Sequence, residues 1–117
     1  MSKQSISLLS LTGRADGDIT AHRFVNHEFN QAEDDESTIG VARSSVMLGD
    51  QFAIDVLGTT VVEAGAAISK GMALKSNVAG KAIPWSRSGA RVAVALENAA
   101  GDGSFIEVLL IPNGNDN

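Results

Sequence analysis

The chain has 117 residues, 44% of them hydrophobic and 20% charged, with a formal net charge of −5. That is ordinary composition for one globular domain and excludes a disordered chain. The acidic balance argues against a phosphate-backbone binder and against docking on anionic lipid, both of which need clustered Lys and Arg, and the lack of any cysteine excludes disulfides and thiolate metal sites.

Four Phe, one Trp and no Tyr leave the core to Val, Ile, Leu and Ala. Twelve glycines against two prolines suggest many tight turns. A chain of this length buries about 65% of its unfolded surface, enough for one modest core. The apolar run Ile6–Leu11, interrupted by Ser7 and Ser10, is too short for the core of a signal peptide. No run is long enough to span a bilayer, so synthesis and assembly in a cytoplasm is the expectation.

In chain order, Ser5–Thr12 mixes serine with Ile6, Leu8, Leu9 and Leu11 and reads as an extended segment. Asp16-Gly17 marks a turn. Ile19–Val25 is a second strand candidate, with Ile19, Ala21 and Val25 on one side. Residues 26–37 are polar, contain the acidic run Glu33-Asp34-Asp35-Glu36, and predict a solvated loop. Thr38–Arg43 is short and β-prone. After a turn at Leu48-Gly49-Asp50, the alternation of Phe52, Ile54 and Val56 with Ala53 and Asp55 predicts a half-buried strand. Gly58 is expected to break it before the β-branched Thr59–Glu63 continues in β geometry.

Gly65–Gly71 is the single plausible helical turn. Met72–Lys75 and Ala82–Pro84 read as short strands about a turn at Asn77–Gly80. In Arg91–Glu97, Val92, Val94 and Leu96 share one face and Ala93 and Ala95 the other. Ser104–Ile111 carries the strongest strand pattern and is apolar on both faces, which predicts burial on both sides. Pro112 ends it. The expected organisation is an arm or first strand over 1–12, a β domain over 13–112 and a polar tail over 113–117. The fold class is mainly β: a small single-domain β-barrel or β-sandwich with at most one short helix and an extended N-terminal segment.

The sequence offers little chemistry. There is no Gly-x-Ser-x-Gly elbow, no phosphate-binding loop and no dinucleotide fingerprint. His22 and His27 are five apart, which on a strand places them on opposite faces, so a metal site is not expected. The run Glu33–Glu36 lacks the alternation and mid-loop Gly of a calcium loop. No catalytic residue and no cofactor is expected. Two stretches read either as structure or as an interface. Trp85, followed by Arg87, is a rim residue capping the barrel or an interface anchor, since Trp and Arg are enriched at binding hot spots. The segment bearing Ser5, Ile6, Leu8 and Leu9 is an ordinary first strand or an arm that pairs with a neighbour's sheet edge.

Three stretches together resemble a known family: residues 56–71 (VLGTTVVEAGAAISKG); Ala73–Ser76 with Gly80–Ile83; and Val92–Glu97 followed by Phe105–Pro112. Their order is similar to that of small phage capsid-cement proteins of the DUF2190 type, and Ile19–Val25 and Ile39–Ala42 fit the same pattern. The label "recombinase-like" sometimes given to such proteins finds no support in a chain without a nucleotide-binding loop. The resemblance implies a virion structural protein that decorates the outer surface of an icosahedral phage head and stabilises the mature capsid. It also implies the major capsid protein as partner, self-association as a homotrimer, and no nucleic-acid or membrane partner. The alternatives are a virion-surface module for a host receptor or glycan, or another head or tail structural protein.

Overall fold

A computed structural model describes residues 7–111. Its strands are β1 (Ser7–Arg14), β2 (Phe24–Val25), β3 (Gly40–Ala42), β4 (Gln51–Glu63), β5 (Ala73–Ser76), β6 (Ala82–Pro84), β7 (Ala93–Ala95) and β8 (Phe105–Leu110). They form one 8-stranded sheet in the order β2-β3-β4-β8-β7-β5-β6, with β1 also paired to β4. A parallel bridge between Ala64 and Ala82, with the Gly65 N–H donating to the Ala82 carbonyl at 2.8 Å, brings the end of β4 to β6 and nearly closes a barrel. Closure removes most exposed edges, the liability of any open sheet.

The long strand β4 organises the fold. Its first half pairs with β1 (Arg14 opposite Gln51 through Ser7 opposite Gly58) and with β3 (Val41 opposite Asp55). Its second half pairs with β8, Thr59 opposite Leu109 through Glu63 opposite Phe105. The expected break at Gly58 is not a break. Gly58 adopts φ +99, a conformation open to glycine and strained for other residues. The strand continues through it for 13 residues while its partner changes, and the register of β1 slips beside it. A second glycine is set by close approach: a Cβ on Gly40 would lie 2.1 Å from the Asp55 carbonyl oxygen, so only glycine lets β3 come this near β4.

Two hydrophobic cores result. The larger gathers Phe24, Val41, Val62, Leu74, Val92, Ile106, Val108 and Leu110 with a set of alanines. The smaller gathers Ala15, Ile19, Val25, Ala42, Phe52 and Ile54. The short pair β2–β3 is the wall between them: neighbouring residues point to opposite faces, so Phe24 and Val41 enter the larger core and Val25 and Ala42 the smaller. This explains why β2 is buried on both sides.

Several expectations are corrected. Gly65–Gly71 is not helical; Ile68 forms an antiparallel bridge with Ala99, and its side chain fills the larger core. A run of small residues fenced by glycine has too little apolar surface on one face to stabilise a helix. The candidate Ile19–Val25 contracts to β2 plus an isolated bridge from Ile19 to Val46. In β7, where the alternation leaves the inward face open, Ala93 and Ala95 are buried and Val94 is half-exposed, while Val92 just before the strand is buried as well. β8 is apolar and buried on the face of Ile106, Val108 and Leu110; on the other face Glu107 is buried, but Phe105 and Leu109 are 43% and 44% exposed.

Candidate functional site

Asp55 is the most buried charge of the chain's described residues, at 1% exposure. It sits where the two halves of β4 meet. Arg43 Nε lies 3.0 Å from Oδ1, the Ser10 hydroxyl donates to Oδ1 at 3.1 Å, and the Thr60 hydroxyl donates to Oδ2 at 2.8 Å. These partners come from the loop after β3, from β1 and from β4 itself, so the carboxylate ties three parts of the chain together. A buried charge is tolerated only with such compensation. Beside it is a shallow cleft of about 160 Å³ lined by His22, Arg43, Asp55, Thr60 and Val61. His22 has φ +65; its Nδ1 lies 3.3 Å from the Val61 carbonyl, and its ring meets the edge of Phe105 at 5.6 Å between centroids. Within the cleft Arg43 and Thr60 are bound to Asp55, and His22 faces the Val61 carbonyl. His27 is exposed in the loop after β2, and among the described residues no group of three or more His, Cys, Asp or Glu could hold a metal ion.

The acidic run is not the freely solvated loop its composition predicts. Glu33 and Asp34 are exposed, but Asp35 pairs with the buried Lys75 at 2.6 Å. Glu36 accepts from the Glu33 N–H at 2.8 Å and from the Asn26 side chain at 3.2 Å. Lys75 also donates to Ser86 Oγ at 3.2 Å, which stitches the acidic loop to the loop after β6. No local pattern announces a lysine 40 positions away as the partner, so the run reads as solvent-facing in sequence.

Trp85 lies in that second loop and is half-buried. Its indole N–H donates to the Gly89 carbonyl at 3.0 Å, and the Arg91 guanidinium stacks on the ring 4.9 Å from the centroid. Arg87 is exposed and adopts φ +70, so Arg91, not Arg87, is the arginine in contact with the indole. Of the N-terminal candidates, Ser5 and Ile6 lie outside the described residues. Leu8 belongs to β1 at its register slip, and Leu9 is 49% exposed opposite Leu57. β1 lies along the first half of β4, whereas Trp85 follows β6 at the end of the sheet order, so the two candidate groups are on separate parts of the fold.

Sequence reasoning missed two surfaces. The outer row Val94–Leu109–Thr59, completed by Phe105 opposite Glu63, exposes large apolar groups on a strand that reads as fully buried. The turn after Val46 exposes Met47 and Leu48, a pair of apolar side chains at a place where polar residues are the rule.

Comparison with known proteins gives one family and one fold. The family model described as phage cement protein matches residues 3–110. The crystal structure of the head fiber gp8.5 N base in bacteriophage phi29 superposes with a TM-score of 0.72 at 24% sequence identity, covering 93% of this chain and 98% of that one, so the two share a fold. No curated protein matches the chain significantly.

Proposed function

We propose, because the chain belongs to the phage cement protein family, that it decorates the outer surface of an icosahedral phage head and stabilises the mature capsid. Family membership makes it a virion structural protein associated with the capsid; the match over residues 3–110 is the observation that carries the reading. The finer parts are our inference: the major capsid protein as the partner bound, a homotrimer as the bound form, a non-catalytic role, and synthesis and assembly in the host cytoplasm. A ligand that binds the mature lattice better than its precursors shifts the equilibrium toward that lattice. Each copy needs only modest affinity if several act together, because linked binding events gain through effective concentration. The exposed Phe105 and Leu109 on β8, and Leu9, Leu11 and Leu57 about β1, support self-association, since exposed apolar clusters mark contact surfaces.

The test is to add the purified protein to heads that lack it and image them by cryo-electron microscopy. Saturable density at regular lattice positions is expected; its failure to appear would sink the reading. A particle that is monomeric both in solution and on the lattice would remove the trimer. The arm is tested by truncation. Removing residues 1–6, which precede the described residues, should weaken head binding more than it lowers the melting temperature. Matching losses in both would make the segment part of the folded core.

A further inference from the structure

The turn between Val46 and β4 is fixed more firmly than its position requires. The Met47 N–H donates to Asp50 Oδ2 at 3.1 Å, and the Asp50 N–H returns to the Met47 carbonyl at 3.0 Å. The Leu48 N–H donates to Asp18 Oδ1 at 3.2 Å. Gly49, at φ +90, donates to the Ala15 carbonyl at 2.8 Å and accepts from Arg14 Nη1 at 2.8 Å. This network orders a turn whose two leading side chains, Met47 and Leu48, are 69% and 66% exposed. A lone exposed apolar residue needs no explanation. Two adjacent ones, held by bonds from Asp50 and from residues 14–18, form a rigid apolar knob. Rigidity matters because immobilising a loop is a main cost of association, and here folding has already met it.

The surroundings of the knob select its partner. Asp16, Asp18 and Asp50 are all exposed around it, with Arg14 as the countercharge bonded into the turn. Two such tips face to face would set like charges against one another, so a second copy docking tip to tip is disfavoured. The complementary surface is an apolar pocket with a basic rim. We propose that the Met47–Leu48 knob inserts into such a pocket on the capsid shell and is the anchor of head binding. This rests on the head-binding reading above and adds to it the side of the molecule that faces the shell.

The experiment measures binding of the wild-type chain and of the Met47→Ser/Leu48→Ser double variant to heads lacking the protein, with melting curves and light scattering on both. The expected result is an unchanged melt and oligomer size with affinity for heads reduced about tenfold or more, as for loss of a central hot spot. Asp16→Lys, which leaves the turn's bonding intact, should slow association with heads and reduce its salt dependence. Wild-type affinity in the double variant would overturn the proposal. So would loss of self-association with head binding retained, which would make the occupant another copy. If the double variant does not fold, the single variants and Asp16→Lys decide. Failure of the wild-type chain itself to occupy heads would remove both this proposal and the reading beneath it.

Discussion

The two cores of this protein share β2, β3 and β4 but are held in different ways. The larger is enclosed by strands that bond to one another around nearly the whole circumference, from β4 through β8, β7, β5 and β6 to the bridge between Ala64 and Ala82. The smaller has strands on one side only. Its remaining cover is loop, fastened by isolated bridges such as Ile19 to Val46 and by Asp55, whose side chain gathers Ser10, Arg43 and Thr60. A closed ladder distributes its stabilisation over many backbone bonds, whereas the smaller core concentrates it in one polar centre. Local opening should therefore begin at β1 and the smaller core, the side that also carries the Met47–Leu48 turn.

The sharpest way to break this comparison is at the wall the cores share. Phe24 is fully buried in the larger core, and its neighbour Val25 is fully buried in the smaller. Phe24→Ala should cost about 3–5 kcal/mol in urea denaturation. It should still give one transition reported equally by both sides, because β2 and β3 belong to both cores. Two separate transitions would mean that the cores fold independently. A smaller effect is expected at the polar centre. Asp55→Ala should cost about 1.5–3 kcal/mol, the range for hydrogen bonds to a charged group. In hydrogen exchange it should expose the amides of β1 and β3 well before those of β7 and β8. Uniform loss of protection would show that Asp55 supports the whole barrel. Gly58→Ala, at φ +99, should cost about 1–3 kcal/mol of backbone strain and should affect both sides, since the pairing of β4 changes partner there.

Much of the barrel is legible in the sequence because its strands obey local rules. The alternation of Phe52, Ile54 and Val56, and of Ile106, Val108 and Leu110, predicts β4 and β8, and Ala82–Pro84 coincides with β6. What is illegible depends on tertiary context. Gly58 carries the same letter whether it ends a strand or lets one bend and change partners. The alternation in Val92–Leu96 gives two faces but not which is inside; the pairing of β7 with β5 and β8 turns Ala93 and Ala95 inward, and Val92 is buried too. Asp55 reads as the polar face of a half-buried strand, and only the approach of Arg43 and Ser10 makes that position an interior one. The same holds for Asp35, which reads as part of a solvated acidic run until Lys75 is brought beside it. For the candidate interface, the sequence supplies residue types known to anchor contacts, Trp85 and Arg87 among them, but not the stacking of Arg91 on the indole. The Met47–Leu48 turn passes unnoticed because Leu48-Gly49-Asp50 already explains itself as a turn.

The smallest effect tests the electrostatic counterpart of Asp55 on the closed side. Glu63 and Lys81 immediately precede Ala64 and Ala82, the two residues of the closing bridge. Lys81 Nζ lies 3.4 Å from Glu63 Oε2 and 2.9 Å from Asp102 Oδ1, and Glu63 is shared with Arg23 Nε at 3.1 Å. The hydrogen bond to Asp102 raises the Lys81 pKa above the ordinary 10.5; burial opposes it in part, and Glu63 adds to the rise. A lysine with a raised pKa binds its proton more tightly folded than unfolded. Its contribution is therefore complete below pH 10.5 and declines as pH climbs through the higher folded value. Lys81→Met should change the melting temperature little relative to the other substitutions at neutral pH, because Asp102 is exposed and such pairs contribute little. It should also remove part of the alkaline decline. An alkaline decline unchanged in Lys81→Met would mean that Lys81 adds nothing to the barrel's seam, which would then rest on the backbone bonds of Ala64, Gly65 and Ala82 and on the Arg23–Glu63 pair, and would widen the contrast with a smaller core that depends on its buried charge.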